Sequence, residues 1–178
     1  MPRLLLLRHA KSSWLNPSLD DFDRPLNDRG RAAAPVMGMY MAREGFRPDH
    51  VLCSSSRRTR ETLACVMPHF KGEETVAFRD DLYDSSEDTY LEIIREHGGN
   101  ADSLLVVGHN PATRETARSL IAAGSRDLRA RIDEKYPTAS LAVIDFDVPG
   151  WADILPMSGR IKAFMRPRDL QMEDDPGL

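Results

Sequence analysis

The chain is predicted to fold as an α/β domain, a three-layer sandwich with helices on both faces of a mainly parallel sheet. Three observations predict this. Short apolar runs that read as buried strands alternate with segments of helical periodicity. The length of 178 residues suits one compact domain. No internal repeat and no Ser/Gly-rich linker divides the chain.

Residues 4–7 are four leucines bounded by charge, the signature of a strand buried on both faces. A polar loop runs from Ser12 to Asn27, and Asn27 is a plausible helix cap. Ala33, Val36, Met37, Tyr40 and Met41 recur at helical spacing, and Gly45 ends that run. Residues 51–54 form a second strand, residues 57–67 a helix and residues 76–78 a short strand. Tyr90, Leu91 and Ile94 mark one face of a helix closed by Gly98 and Gly99, and residues 104–107 read as a central strand. Asn110 and Pro111, a cap residue followed by proline, open the next helix. Residues 139–146 and 161–165 are the last strands, and one edge strand of the sheet is expected to be antiparallel. The domain is thus expected to span residues 1–166. Residues 167–178, with Glu173, Asp174 and Asp175 and little to bury, are expected to form a mobile acidic tail.

Composition narrows the function. The apolar share is 41% and the charged share 29%, ordinary for a soluble globular protein, and the net charge of −4 does not suit a nucleic-acid binder. Arginines nevertheless gather at Arg8, Arg24, Arg57, Arg58 and Arg60, so local positive sites can exist. Two cysteines are too few for a disulfide framework, and a reducing cytoplasm is the expected setting. No apolar run is long enough to span a membrane, and the four N-terminal leucines run straight into charge, unlike a signal peptide.

Three strand ends run into chemistry-bearing residues. The first leads to Arg8 and His9, the second to residues 54–56 and then Arg57 and Arg58, and the third to Gly108, His109 and Asn110. Ligands of parallel α/β sheets bind beyond the C-terminal ends of the strands. If these strands are neighbours, Arg8, His9, Arg58 and His109 converge, with two helix N-termini beside them, and that combination suits phosphate. Each feature has an ordinary explanation. A single histidine after a strand is usually a surface residue, the arginines of residues 57–60 could form a solvated helix face, and Arg24 could simply pair with Asp21 or Asp23. Three such explanations must hold at three separate strand ends, which makes them jointly weak.

Rival constellations fit worse. Cys53 lacks an arginine at the spacing of a cysteine-phosphatase loop, since Thr59 occupies that position, and it reads as a buried strand residue. The histidines His9, His50, His69, His97 and His109 form no short-spaced metal pair. Gly108 alone is no phosphate loop, and Asp80, Asp81 and Asp84 read as a solvated turn.

LLLLRHAKSSW resembles the first motif of the histidine phosphatase superfamily, Arg-His-Gly after the first strand. The resemblance continues through DFDRPLNDRGRAAA, VLCSSSRRTRETL, LLVVGHNPATRE and KYPTASLAVIDF, from about Leu4 to about Met165. The RHAKSSW and DFDRPL segments are most similar to the phosphohistidine phosphatase branch. The resemblance implies a phosphoglycerate mutase-like fold and a phosphatase with no metal or other cofactor. It makes His9 the nucleophile, Arg8, Arg58 and Arg24 phosphate ligands, and His109 the second histidine, contacting a non-bridging oxygen. Three departures stand out. Ala10 replaces the hallmark glycine, Ser55 stands where proline is common, and no glutamate matches the proton donor of mutase-like members, Asp81 being nearest in order. The implied partner is a phosphorylated protein such as a histidine-containing phosphotransfer domain. A small phosphate ester as substrate, or a non-catalytic module binding phosphorylated proteins, are the alternatives.

Overall fold

The computed structural model describes residues 1–173. Seven strands and six helices alternate along them: β1 (Arg3–Arg8), α1 (Asp28–Arg43), β2 (His50–Ser54), α2 (Arg57–Val66), β3 (Thr75–Arg79), α3 (Glu87–His97), β4 (Ser103–Gly108), α4 (Ala112–Leu120), β5 (Ile121–Gly124), α5 (Arg126–Glu134), β6 (Leu141–Phe146), β7 (Gly159–Met165) and α6 (Pro167–Glu173). The strands make one sheet in the order β3-β2-β4-β1-β6-β7-β5.

Strand residues alternate between two buried faces, as the twofold period of a strand requires. Leu4 and Leu6 of β1 join Leu52, Leu104, Val106 and Ile144 on one side, covered by Tyr90 and Ile94 of α3, Ala117 and Leu120 of α4, and Ile132 of α5. Leu5 and Leu7 join Val51, Cys53, Leu105, Val107 and Val143 on the other, covered by Met37 and Met41 of α1, Leu63 and Val66 of α2, and Leu170 of α6. All four leucines of β1 are fully buried, and each such side chain contributes about 1.5–3 kcal/mol of burial. That double cover is the expected three-layer sandwich. Among the described residues no helix is long and apolar enough to cross a membrane.

Local signals work as the sequence suggests at several ends. The Asn27 side chain accepts a hydrogen bond from the Gly30 amide and starts α1. Gly45 takes φ +74 just past its end, a left-handed conformation that glycine adopts without strain.

Four expectations need correcting. The reversed strand is not at an edge: β6 lies between β1 and β7 and is antiparallel to both, while β7 and β5 pair in parallel. Strand direction leaves no mark on the apolar pattern, and a β6–β7 antiparallel pair needs no crossover helix. β5 and α5 were not anticipated, because β5 is a four-residue edge strand with one bulky apolar residue and α5 is dominated by charge. Asn110 does not cap α4; its Nδ2 donates to the Tyr136 carbonyl at 2.9 Å, and α4 begins at Ala112 after Pro111. Finally, the segment from Pro167 is not a mobile tail over its first part. It forms α6, seats Leu170 in the core, and ties Asp169 to Arg166 and Arg131; residues 174–178 lie outside the described residues.

Leu170→Ala should therefore destabilise the fold by about 2–5 kcal/mol, the range for truncating a buried leucine. Urea unfolding measures this, and an unchanged midpoint would show that α6 is peripheral to the core.

Candidate active site

The pairing of β1 with β4 sets up the site. They run parallel and in register, with Arg8 opposite Gly108. The His9 amide donates to the Gly108 carbonyl at 3.0 Å, so the residues leaving the two strands, His9 and His109, emerge side by side. Their ring centroids lie 5.3 Å apart. β2, on the far side of β4, ends in Ser54 and leads into α2, whose first turn carries Arg58.

Both histidines are buried, each 7% exposed. His9 Nδ1 lies 2.7 Å from the Ala10 carbonyl. A carbonyl can only accept, so Nδ1 carries the proton and Nε2 keeps its lone pair. Burial holds His9 in its neutral form and depresses its pKa to about 3; the nearby His109, Arg58 and Arg8 push the same way, and the Ala10 carbonyl offsets part of this. The Ala10 amide is itself anchored by Thr62 Oγ1 of α2 at 2.9 Å.

His109 also falls to about 3, mainly through burial and the charge of Arg58. Its Nε2 meets Ser54 Oγ at 2.8 Å. Its backbone amide donates to the Tyr90 hydroxyl at 3.0 Å, which in turn donates to the Leu82 carbonyl. Gly108 must be glycine here, since a Cβ would stand 2.3 Å from that hydroxyl.

The arginines are organised by one carboxylate. Asp21, in a short 3-10 turn before α1, accepts from Arg58 Nη2 at 3.0 Å, from Arg24 Nε at 3.1 Å and from the Tyr83 hydroxyl at 2.6 Å. Its carbonyl also takes Arg58 Nη1 at 2.6 Å. These contacts hold its pKa near 2, so it stays ionised. Arg24 packs against the exposed Trp14 ring, 3.4 Å from its centroid. Arg8 donates to the Tyr136 carbonyl at 2.9 Å. At the site, Arg8 Nε, Arg58 Nε and His109 Nδ1 are buried and have no hydrogen-bond partner among the described residues. Unpartnered buried donors converging from cationic or neutral groups suit a multivalent oxyanion.

The sequence-expected residues Arg8, His9, Arg58 and His109 are thus neighbours, with Arg24 joined through Asp21. Arg57 and Arg60 point elsewhere: both are exposed, Arg57 pairing with Glu61 and Arg60 donating to the Ser55 carbonyl. Asp81 accepts from both Nε and Nη2 of Arg79 and is acidified by it, so it offers no proton near neutral pH. Asp21 was foreseen only as a local partner of Arg24. Ser54 was noted only within the polar residues 54–56 and Tyr90 only as part of an apolar helix face; their contacts with His109, and the parts played by Tyr83 and Tyr136, were not foreseen, because they join segments far apart in sequence. Among the described residues no group of three or more His, Cys, Asp or Glu side chains is placed to hold a metal ion.

The two buried histidines predict an acid-side loss of stability. Their folded pKa lies below the unfolded value of about 6.5, so between about pH 6.5 and 3 the unfolded chain binds protons that the folded one does not. Stability is full above that window and falls as pH drops through it, by up to about 1.4 kcal/mol per pH unit for each histidine. Unfolding free energies measured from pH 6.5 to 4.5 should show this slope, and His9→Gln and His109→Gln should each reduce it by about one proton. An unchanged slope in both variants would contradict the burial argument.

Comparison with known proteins agrees with this geometry. Residues 4–86 match the model of the histidine phosphatase superfamily (branch 1). An uncharacterized protein of Mycobacterium tuberculosis, Rv1276c, is 36% identical over 165 residues, covering 91% of this chain and all of that protein. A crystal structure from Agrobacterium tumefaciens, provisionally assigned as the phosphohistidine phosphatase SixA, superposes with a TM-score of 0.79 at 33% identity, covering 94% of this chain and 99% of that one. A protein histidine phosphatase SixA solved with tungstate shares the fold, with a TM-score of 0.70 at 19% identity over 94% of this chain and 99% of that chain. With its phosphoglycerate mutase-like α/β sandwich, the chain belongs to the histidine phosphatase superfamily and is SixA-like within it.

Proposed function

We propose that this phosphatase removes phosphate from phosphohistidine in proteins such as phosphotransfer domains, through a phosphohistidine intermediate on His9 and without a metal ion. The observation that carries the reading is the His9 ring itself. It is buried, kept neutral, and oriented by the Ala10 carbonyl with Nε2 free to attack. In the first step Nε2 forms a bond to phosphorus while the bond to the leaving group breaks in line, and the electron pair leaves with that group. Arg8, Arg58 and Arg24 spread positive charge over the phosphoryl oxygens. His109 donates from Nδ1, which carries the proton when the Ser54 hydroxyl donates to Nε2. Water then attacks phosphorus, releasing phosphate and returning His9 as the neutral ring.

The location of the protons supports this substrate class. An alkoxide leaving group needs a general acid. Asp21 is ionised with a pKa near 2 and Asp81 is locked in an ion pair, so neither carboxylate holds a proton to give. Phosphohistidine needs no such donor, because its imidazole can leave already protonated on its second nitrogen. Both cysteines are free thiols, in keeping with a reducing cytoplasm.

His9→Ala should fold normally by circular dichroism and lose all turnover of an aryl phosphate. Quenching wild-type enzyme in base during turnover should trap phosphate on His9 that is stable in alkali and labile in acid. Wild-type activity in a folded His9→Ala protein would end this mechanism.

Arg58→Ala and His109→Ala should each lower kcat/KM by the equivalent of roughly 2.7–4 kcal/mol, the usual range for one donor to developing negative charge. Arg57→Ala and Arg60→Ala should cost far less. Equal losses at all three arginines would overturn the assignment of Arg58.

Protein-bound phosphohistidine should be hydrolysed with a higher kcat/KM than phosphoserine or sugar phosphates. A clear preference for a small ester would make the chain a small-molecule phosphatase and leave the role of His9 intact.

A further inference from the structure

Beside the site lies a second feature that the reaction does not use. A surface cleft of about 370 Å³ runs between the start of α1, the segment ending at Thr138 and the start of α6. Lys11, Arg29, Arg166 and Arg168 line it, with Ala33 and Pro137 among its apolar walls. Among its lining residues there is no Asp or Glu. Arg166 is neutralised by a forked pair with Asp169. Lys11, Arg29 and Arg168 are exposed and make no ion pair among the described residues. Three uncompensated cations in one cleft stand out on a chain of net charge −4.

The cleft is joined to the site by the backbone. Lys11 is two residues past His9, so their Cα atoms are at most about 7 Å apart. On the other wall, Pro137 and Thr138 sit between two groups that touch the site residues. The Tyr136 carbonyl accepts from Arg8, and the Ala139 amide donates to the Arg8 and His9 carbonyls. A ligand reaching from His9 into this cleft needs to extend by only two or three residues of chain. A free phosphate or a small ester bound at His9 does not reach that far, whereas a polypeptide does.

We propose that this cleft is the docking groove for an acidic segment of the protein substrate, lying next to the phosphorylated residue in that protein. The proposal rests on the protein-substrate reading above. Lys11, Arg29 and Arg168 meet carboxylates of the segment, and Ala33 and Pro137 meet its apolar side chains. The groove contributes to KM and leaves the chemistry at His9 untouched.

The test uses the full chain and two labelled peptides, identical except that one has a run of glutamates and the other a run of serines beside the target histidine. Each is prepared with and without phosphate on the histidine. Fluorescence anisotropy of the phosphate-free peptides reads the groove alone. The glutamate peptide should bind more tightly than the serine peptide, and its affinity should fall as salt rises. The double variant R29E/R168E should weaken glutamate-peptide binding and raise its KM by about tenfold, as expected for reversing charges at the rim of an interface. It should leave aryl-phosphate turnover and the serine peptide unchanged. R29Q/R168Q gives a milder control should the reversed charges disturb α1 or α6, and the salt dependence of the wild type needs no variant. Equal binding of the two peptides by wild-type protein, or undiminished glutamate-peptide binding by a folded R29E/R168E protein, would overturn the groove. If the phosphate-free glutamate peptide binds through Arg29 and Arg168 but neither phosphorylated peptide is hydrolysed, the groove stands as an acidic-segment site and the protein-phosphatase reading fails.

Discussion

The rest of the site depends on the in-register parallel pairing of β1 with β4. One hydrogen bond, from the His9 amide to the Gly108 carbonyl, continues that ladder past the end of the strands. It fixes which residues leave the sheet together. A register slip of one residue would turn each leucine of β1 to the opposite face and separate the two imidazoles. The register is itself protected from both sides, since Leu4–Leu7 alternate between two closed cores. Burial of the sheet and placement of the histidines are therefore one constraint. Gly108 extends it outward, because the absence of a side chain there lets the Tyr90 hydroxyl sit against β4 and accept the His109 amide.

The charges follow a second logic. Arg24 and Arg58 are each nearly buried, which is costly for a guanidinium without a partner. A single carboxylate, Asp21, offsets both, and Tyr83 supplies it with a third donor. With two guanidiniums and one carboxylate, this cluster keeps a net positive charge, and Arg58 retains a buried Nε with no protein partner. The same contacts that fix the arginines keep Asp21 ionised, so preorganisation and the absence of a carboxylic acid have one cause.

Much of this could be read from the chain. The leucines of β1 and the apolar run of β4 announce buried strands, and the residues after them announce the histidines. Arg58 could be chosen from its neighbours only by family resemblance; in the structure, the helical turn decides, directing Arg58 inward and Arg57 and Arg60 outward. What stayed hidden has long-range causes. Asp21 reaches Arg58 and Tyr83 across 37 and 62 positions, and no local pattern reports such a contact. The reversed strand β6 is as apolar as the parallel strands of the sheet, so its direction and interior place are set by the connections. α6 was missed because one leucine and one ion-paired aspartate suffice to dock so short a helix.

Trp14 and Trp151 are the two tryptophans of the chain, and they occupy opposite surroundings. Trp151 is buried, with its indole N–H given to the Ala101 carbonyl, whereas Trp14 is 76% exposed and stacked on the guanidinium of Arg24. Indole emission responds to solvent and to nearby charge. The molecule thus carries an internal pair of optical channels: one reports on the integrity of the core, and the other on the electrical state of the arginine cluster as an anion arrives.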